Sequence, residues 1–290
     1  MVVSKKVGDI MQNIIDVKSI VSNDKEKLKL EIEKLKLKNI IPNLSIILAN
    51  KDSSSEIYVS KKRKMCAELG ILEKEYILEE DVTTKEVLAI VEELNKDKTV
   101  DGILVQLPLY KQLDEKLILN TINPAKDVDG FHPVNLGKLL IGEDTLVSCT
   151  PKGIMKILDS LEEEIAGKNA VVIGRSRIVG KPIACLLLNR GATVTICHSK
   201  TKNLEEFTRK ADILVVAVGE ARLIKANMVK RGSTIIDVGI NRINGKIIGD
   251  VDTQNVLAVA KHITPVPGGV GLTTVLSLME NVVKVSKNRN

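Results

Sequence analysis

Short apolar runs alternate with helix-forming stretches along most of the chain. That rhythm restricts it to parallel sheets covered by helices on both faces. Leu44-Ser-Ile-Ile-Leu-Ala49 predicts a buried strand, followed by a helix through Tyr58. Ile71 to Leu78 predicts a second strand, Thr84 to Asn95 a helix, and Gly102-Ile-Leu-Val-Gln106 a third strand. A turn-rich connection with two prolines runs from Asn123 to about Cys149. Thr150-Pro151 predicts a helix start, Thr as cap and Pro at the first position, with the helix reaching about Glu163. The alternation then resumes, with strands at Ala170–Ile173, Thr193–Cys197, Ile213–Ala217 and Thr234–Asp237. Helices at Gly180–Asn189 and Leu204–Lys210 separate them, and a last helix runs from Leu272 to about Ser286. At 290 residues the chain has room for two cores. The expected class is α/β with two domains, each a mainly parallel sheet flanked by helices. Residues 1–148 with 272–290 form the first domain and 149–271 the second.

Composition excludes several functions. The N-terminal Met-Val-Val-Ser-Lys-Lys lacks the apolar run of a secretory signal, and no stretch approaches a membrane span. The expectation is a soluble cytoplasmic protein with no membrane partner. Four scattered cysteines (Cys66, Cys149, Cys185, Cys197) fit reduced, mostly buried thiols. The three histidines are far apart and lack metal-ligand spacing, so no metal is expected. The net charge of +6 arises partly from lysines alternating with glutamates over Asp24–Lys34, a solvated amphipathic helix. With no Trp and few Phe and Tyr, aromatic platforms for nucleic acid are missing. A mild positive field suits small anionic ligands, and a lysine-rich surface without a message explains it equally well.

Tyr58-Val-Ser-Lys-Lys62 places a Tyr and a Lys four residues apart. At 3.6 residues per turn Ser55, Tyr58, Lys62, Met65 and Leu69 share one side, with Arg63, Lys64 and Ala67 opposite. Lys62 is thus the one basic residue of the segment on an apolar stripe. A desolvated lysine has a lowered pKa and exchanges protons near neutrality. The alternative is a snorkelling side chain with its amine in water.

Gly174-Arg-Ser-Arg-Ile-Val-Gly180 follows a strand and opens a helix, as a phosphate-binding turn does. Ser176 stands where a second glycine is usual, so an ordinary strand-to-helix turn remains the alternative. The next strand ends in Cys197-His198-Ser199-Lys200, donors and cations where an NAD site carries an acid. With Arg175 nearby, that chemistry suits the 2′-phosphate of NADP. Ala217-Val-Gly219 follows a further strand, the usual place for a ribose-side loop. The second domain is therefore expected to be Rossmann-like.

Three further segments stand out. Gln106 closes a strand just before Leu107-Pro108, pointing to a ligand crevice or capping a loop. Asp127 and Asp129 lie two apart in a turn-rich stretch ending at His132. One acid suits the turn, and one suits the amino edge of a polar heterocycle. Pro265-Val-Pro-Gly268-Gly269-Val-Gly271 lets backbone approach a ligand, or simply leads into the last helix.

Six motifs in this order carry a resemblance over residues 45–285: Tyr58-Val-Ser-Lys-Lys62-Arg-Lys, Asp101-Gly-Ile-Leu-Val-Gln-Leu-Pro108, Lys126-Asp-Val-Asp-Gly-Phe-His-Pro133, Cys149-Thr-Pro-Lys-Gly153, Val172-Ile-Gly-Arg-Ser-Arg-Ile-Val-Gly180 and Pro265-Val-Pro-Gly-Gly-Val-Gly271. The chain resembles the bifunctional methylenetetrahydrofolate dehydrogenase/methenyltetrahydrofolate cyclohydrolase family. The resemblance implies NADP-dependent oxidation of 5,10-methylenetetrahydrofolate, then hydrolysis of the methenyl product to 10-formyltetrahydrofolate. It implies Lys62 as the key cyclohydrolase residue, Tyr58 stacking on or orienting the folate, Gln106 supporting the lysine, and Asp129 holding the pterin. Ser55, Pro267, Gly268 and Gly269 complete the implied folate site. Gly174, Arg175, Ser176, Ile178, Ser199, Gly219, Ile240 and Thr150 are the implied cofactor residues, with Ser199 near the 2′-phosphate. A homodimer is implied as well.

The chain departs from the family pattern twice. Asn50-Lys-Asp-Ser-Ser-Ser55 replaces a Gly-containing turn and Pro-Ala-Ser, and Gly271-Leu272-Thr273-Thr274 replaces Gly-Pro-Met-Thr. The lost Pro lowers helix-start rigidity. A short-chain dehydrogenase also uses Tyr-x-x-x-Lys, but there the nucleotide motif comes first. A ring-ketone reductase resembling shikimate dehydrogenase explains the domain order but not Val-Gln-Leu-Pro. A folate- or nucleotide-binding protein without turnover has no need of Tyr58, Lys62, Gln106 and Asp129 together.

Overall fold

The structure, a computed structural model, describes residues 13–289; the N-terminal hexapeptide read above for a leader lies outside them. The chain divides into two compact units. One comprises Ser22–Cys149 with the residues from Val275 onward, and the other Thr150–Thr274 with the described residues up to Val21. The sequence grouped that N-terminal stretch with the first domain. By contact it clusters with the second, because Ile14 bridges Ile263 and the Asn13 side-chain amide donates to Ala260 O at 3.0 Å.

The first unit is built from α1 (Val17–Lys36, entering from the other unit), β1 (Asn43–Leu48), α2 (Ser53–Leu69), β2 (Leu72–Ile77), α3 (Thr84–Lys96) and β3 (Gly102–Gln106). The strands are parallel in the order β2-β1-β3. Beyond β3, Ile103 N–H donates to Lys126 O at 2.9 Å, which lays the Lys126–Asp129 stretch alongside the sheet. Ile47, Val105, Val87, Val91 and Ile118 form one core, each burial worth about 1.5–3 kcal/mol. A capping box starts α3: Thr83 Oγ1 accepts from Glu86 N–H, and the Glu86 carboxylate accepts from Thr83 N–H.

The turn-rich connection carries a helix. After α4 (Glu115–Thr121), α5 spans Pro133–Leu140. Pro133 sits in its first turn, and His132 Nδ1 accepts from Val134 N–H at 3.1 Å. A proline read as a turn is here a helix start. The next helix, α6 (Cys149–Ser160), begins before Thr150, so Thr150 is in its first turn and is not its cap. Its hydroxyl pairs with that of Thr274 at 3.1 Å. The helix also stops short of Glu163, where Glu162 turns left-handed at φ 53°.

The second unit holds β4 (Asn169–Ile173), α7 (Gly180–Asn189), β5 (Thr193–Cys197), α8 (Leu204–Thr208), β6 (Ile213–Val216) and β7 (Thr234–Asp237). A hairpin of β8 (Asn241–Ile243) and β9 (Lys246–Ile248) follows, then α9 (Thr253–Val256) and β10 (His262–Ile263); α10 (Val270–Ser286) starts in this unit and from Val275 onward belongs to the first. The parallel order is β10-β7-β6-β4-β5. Side chains alternate across it: Ala170, Val172, Ile213 and Val215 enter one core, and Val171, Ile173, Leu214 and Val216 the other. Chain order reverses at β4, which leaves a crevice at the carboxyl ends of β4 and its neighbours.

Candidate active site

Ser55, Val59, Lys62, Cys66 and Leu69 form the buried stripe of α2, while Arg63, Lys64 and Ala67 face solvent. Lys62 is only 8 % exposed, so the snorkelling alternative fails. Its ammonium donates to Gln106 Oε1 at 2.8 Å. Gln106 Nε2 in turn donates to Leu107 O at 2.8 Å, which fixes the oxygen end of the amide towards the lysine. Ser55 Oγ reaches the same carbonyl at 3.5 Å. Tyr58 is half-buried on the same helix, with Lys61 Nζ 5.4 Å from its ring centre.

The two acids of the Asp127–Asp129 segment separate as the sequence left open. Asp127 serves the chain: its carboxylate accepts from Phe131 N–H at 3.2 Å, His132 N–H at 2.8 Å and Asn135 Nδ2 at 2.8 Å. Removing it strands three donors in a buried corner, each worth about 1–3 kcal/mol when left unmet. Asp127→Ala is therefore expected to lower stability by about 2–4 kcal/mol, read from the urea midpoint. Asp129 has no such duty. Burial pushes its carboxyl up, Lys62 opposes that shift, and Asp127 adds to it. Cys149 Sγ approaches Asp129 Oδ1 at 3.7 Å, a weak contact. Cys66, beside Lys62, has its thiol pushed up to about 12 by burial, so it stays unreactive.

Ser55, Tyr58, Lys62, Gln106 and Asp129 all lie in the first unit, on α2, at the carboxyl end of β3 and on the segment beside β3. Pro267, Gly268 and Gly269 lie in the second, between β10 and α10, with Gly268 at φ 96°.

Most of the expected cofactor residues cluster at one end of the second sheet. Gly174, Arg175, Ser176 and Ile178 follow β4, Ser199 follows β5, Gly219 follows β6 and Ile240 follows β7. Gly174 has φ 116°, and a Cβ there would overlap Ala217 O. A side chain is thus excluded where backbone must approach a phosphate. Ser176 Oγ accepts from Val179 N–H at 3.1 Å and Gly180 N–H at 3.2 Å, so the hydroxyl shapes the turn into α7 in place of a second glycine. Arg175, Ser199 and Lys200 are exposed at that end. These residues fit a phosphorylated dinucleotide. Thr150 stands apart on α6, paired with Thr274.

Sequence reasoning missed a buried acid pair beneath these loops. Asp250 is fully buried and accepts from Val218 N–H at 2.8 Å and Gly219 N–H at 3.0 Å. Asp237 accepts from the N–H groups of Gly239, Asp250 and Val251, and burial pushes its carboxyl up to about 6 against those hydrogen bonds. The available signal was a glycine beside each acid, Gly239 after Asp237 and Gly249 before Asp250. A Cβ on Gly249 would overlap the Asp237 carboxylate, and one on Gly239 that of Asp250.

A buried, amide-held amine in one α/β unit and a glycine-turn crevice at the strand ends of the other are marks of a nucleotide-dependent enzyme. Comparison with known proteins specifies it. Residues 15–129 match the catalytic domain, and residues 148–290 the NAD(P)-binding domain, of tetrahydrofolate dehydrogenase/cyclohydrolase. The chain belongs to the tetrahydrofolate dehydrogenase/cyclohydrolase family. It is 50 % identical to the bifunctional protein FolD of Halalkalibacterium halodurans over 94 % of this chain and 98 % of the relative. The crystal structure of the Campylobacter jejuni bifunctional FolD enzyme superposes with a TM-score of 0.94 at 48 % identity, covering 96 % of this chain and 99 % of the other. The Trypanosoma brucei enzyme, solved with NADP and an inhibitor, gives 0.90 at 36 % identity, with coverage of 95 % and 97 %.

Proposed function

We propose that this chain oxidises 5,10-methylenetetrahydrofolate in an NADP-dependent step and hydrolyses the resulting 5,10-methenyltetrahydrofolate to 10-formyltetrahydrofolate. The observation that carries the reading is the buried Lys62–Gln106 pair in the family's catalytic domain. The first unit is read as the folate-binding catalytic domain and the second as the cofactor domain.

Bound NADP supplies the hydride acceptor of the first step. Hydride loss leaves a carbocation shared by two flanking nitrogens, so this step needs positioning more than a base. Tyr58, by stacking, and Asp129, by accepting from the amino-pyrimidine edge of the pterin, supply that positioning. Ser55 completes the folate-binding set of the first unit. Gly174, Arg175, Ser176 and Ile178, with Ser199, Gly219, Ile240 and Thr150, are read as the residues that hold NADP.

Hydration of the cation needs a base and then an acid. A cation beside an ammonium favours the neutral amine by repulsion. Gln106 is uncharged, so it orients Lys62 without holding it protonated as a carboxylate would. The neutral amine takes a proton from the attacking water as the C–O bond forms. It returns that proton to the departing ring nitrogen as the C–N bond breaks, while the carbinol hydroxyl releases its own proton to solvent and becomes the formyl C=O on the other nitrogen.

The test is a spectrophotometric assay with methylenetetrahydrofolate and NADP, repeated with NAD. The expected record is methenyl formation followed by its decay, with NADP preferred. A binding protein gives no turnover, and a ring-ketone reductase gives no methenyl signal. Equal affinity for NAD and NADP would overturn the 2′-phosphate reading.

A homodimer is also proposed. β2 is an edge strand with Leu72 and Ile77 exposed, an unpaired rim suited to a second copy. A cytoplasmic location is supported by four free cysteines, and no described helix is long and apolar enough to cross a membrane.

A further inference from the structure

Two of the loops read as cofactor-binding converge on one buried carboxylate. Asp250 Oδ2 accepts from the consecutive N–H groups of Val218 and Gly219, at the carboxyl end of β6. Its Oδ1 accepts from Asn241 Nδ2 at 2.9 Å, at the start of β8 and next to Ile240. Asn241 Nδ2 also donates to Ile248 O at 3.2 Å, closing the mouth of the hairpin. Asp250 is itself held from behind, since its own N–H donates to Asp237 Oδ1 at 2.9 Å. The whole arrangement is buried, with Asp250 at 0 % and Asp237 at 1 % exposure.

Peptide geometry gives this contact a direction. In a trans peptide the N–H and the preceding C=O point opposite ways. With the N–H groups of Val218 and Gly219 turned onto Asp250, the carbonyls of Ala217 and Val218 turn away from it. Ala217 O accordingly lies against Gly174 Cα, where a side chain is excluded. Among the described residues no backbone N–H outside the helices and strands donates to Val218 O, on a residue that is 38 % exposed, so this carbonyl faces away from Asp250 as an acceptor for hydroxyl or amide donors. Asp250 touches no reacting atom, and it fixes which face of the loop a ligand meets.

Resting on the NADP reading above, we infer that Asp250 is a positioning residue for the dinucleotide, setting the backbone after β6 and the start of the β8–β9 hairpin in the geometry that binds it. Asn241 is the partner that keeps the carboxylate oriented.

Calorimetric titration of the full chain with NADP, and separately with tetrahydrofolate, tests this. Asp250→Ala removes every acceptor and is expected to weaken NADP about 10- to 100-fold. Asp250→Asn keeps one oxygen for Val218 and Gly219 and is expected to cost about threefold, as is Asn241→Ala. Tetrahydrofolate affinity stays within about twofold throughout, which a merely structural role would not give. If the alanine variant does not fold, Asp250→Asn and Asn241→Ala carry the test. Unchanged NADP affinity in folded variants overturns the assignment, as does equal loss for NADP and tetrahydrofolate. A parent chain that shows no NADP binding overturns the functional reading itself, and this assignment with it.

Discussion

Lys62→Met is expected to abolish most methenyl hydrolysis while hydride transfer survives. Methionine follows the lysine stem in length and keeps the packing along the stripe with Val59 and Cys66, so the fold should persist. What goes is the amine, and general acid–base catalysis is worth about 10²–10⁴-fold. Hydrolysis should therefore fall by about a thousandfold. The oxidation step lacks that dependence, because its cation is stabilised within the substrate, and it should fall by less than about tenfold. Gln106 loses its donor, which costs about 1–2 kcal/mol of stability. Following methenyl absorbance and NADPH in one cuvette separates the two rates. Parallel loss of both would remove Lys62 from its proton-transfer role.

Asp129→Ala is expected to raise the Kd for the folate about a hundredfold, close to 3 kcal/mol, and to leave NADP binding alone. Paired hydrogen bonds from an amino-pyrimidine edge to a carboxylate are of that strength. The fold offers an internal control two residues away. Among the described residues Asp127 answers three close donors and Asp129 a distant thiol, so Asp127→Ala should move the urea midpoint and Asp129→Ala should not. Unchanged folate affinity in Asp129→Ala would take this residue out of the pterin site.

Much of this was legible in the sequence, for identifiable reasons. Strands buried on both faces read as apolar runs, so Gly102–Gln106 and Thr234–Asp237 have the bounds expected of them. The Lys62 stripe was visible because a basic residue broke an apolar period. The hairpin after β7 was legible too and was overlooked. Asn244-Gly245, with φ of 49° and 74°, is the tight turn that Asn-Gly favours between short strands. α5 was missed because Pro133 marks turns and helix starts alike, and only the His132 contact to Val134 N–H decides between them. Asp250 lay out of reach for a different reason. Its donors are backbone groups 31 and 32 residues earlier, and amides leave no trace in residue identity.

An amide beside the amine also leaves the enzyme's second reaction unusually easy to silence. Gln106→Glu exchanges one NH₂ for an oxygen, with no change in size. A carboxylate there would pair with the Lys62 amine and keep it from taking a proton from the reacting water. Such a chain would keep its shape and its redox step and would release methenyl product. A two-reaction catalyst would thus be pared to one by an alteration smaller than a methyl group.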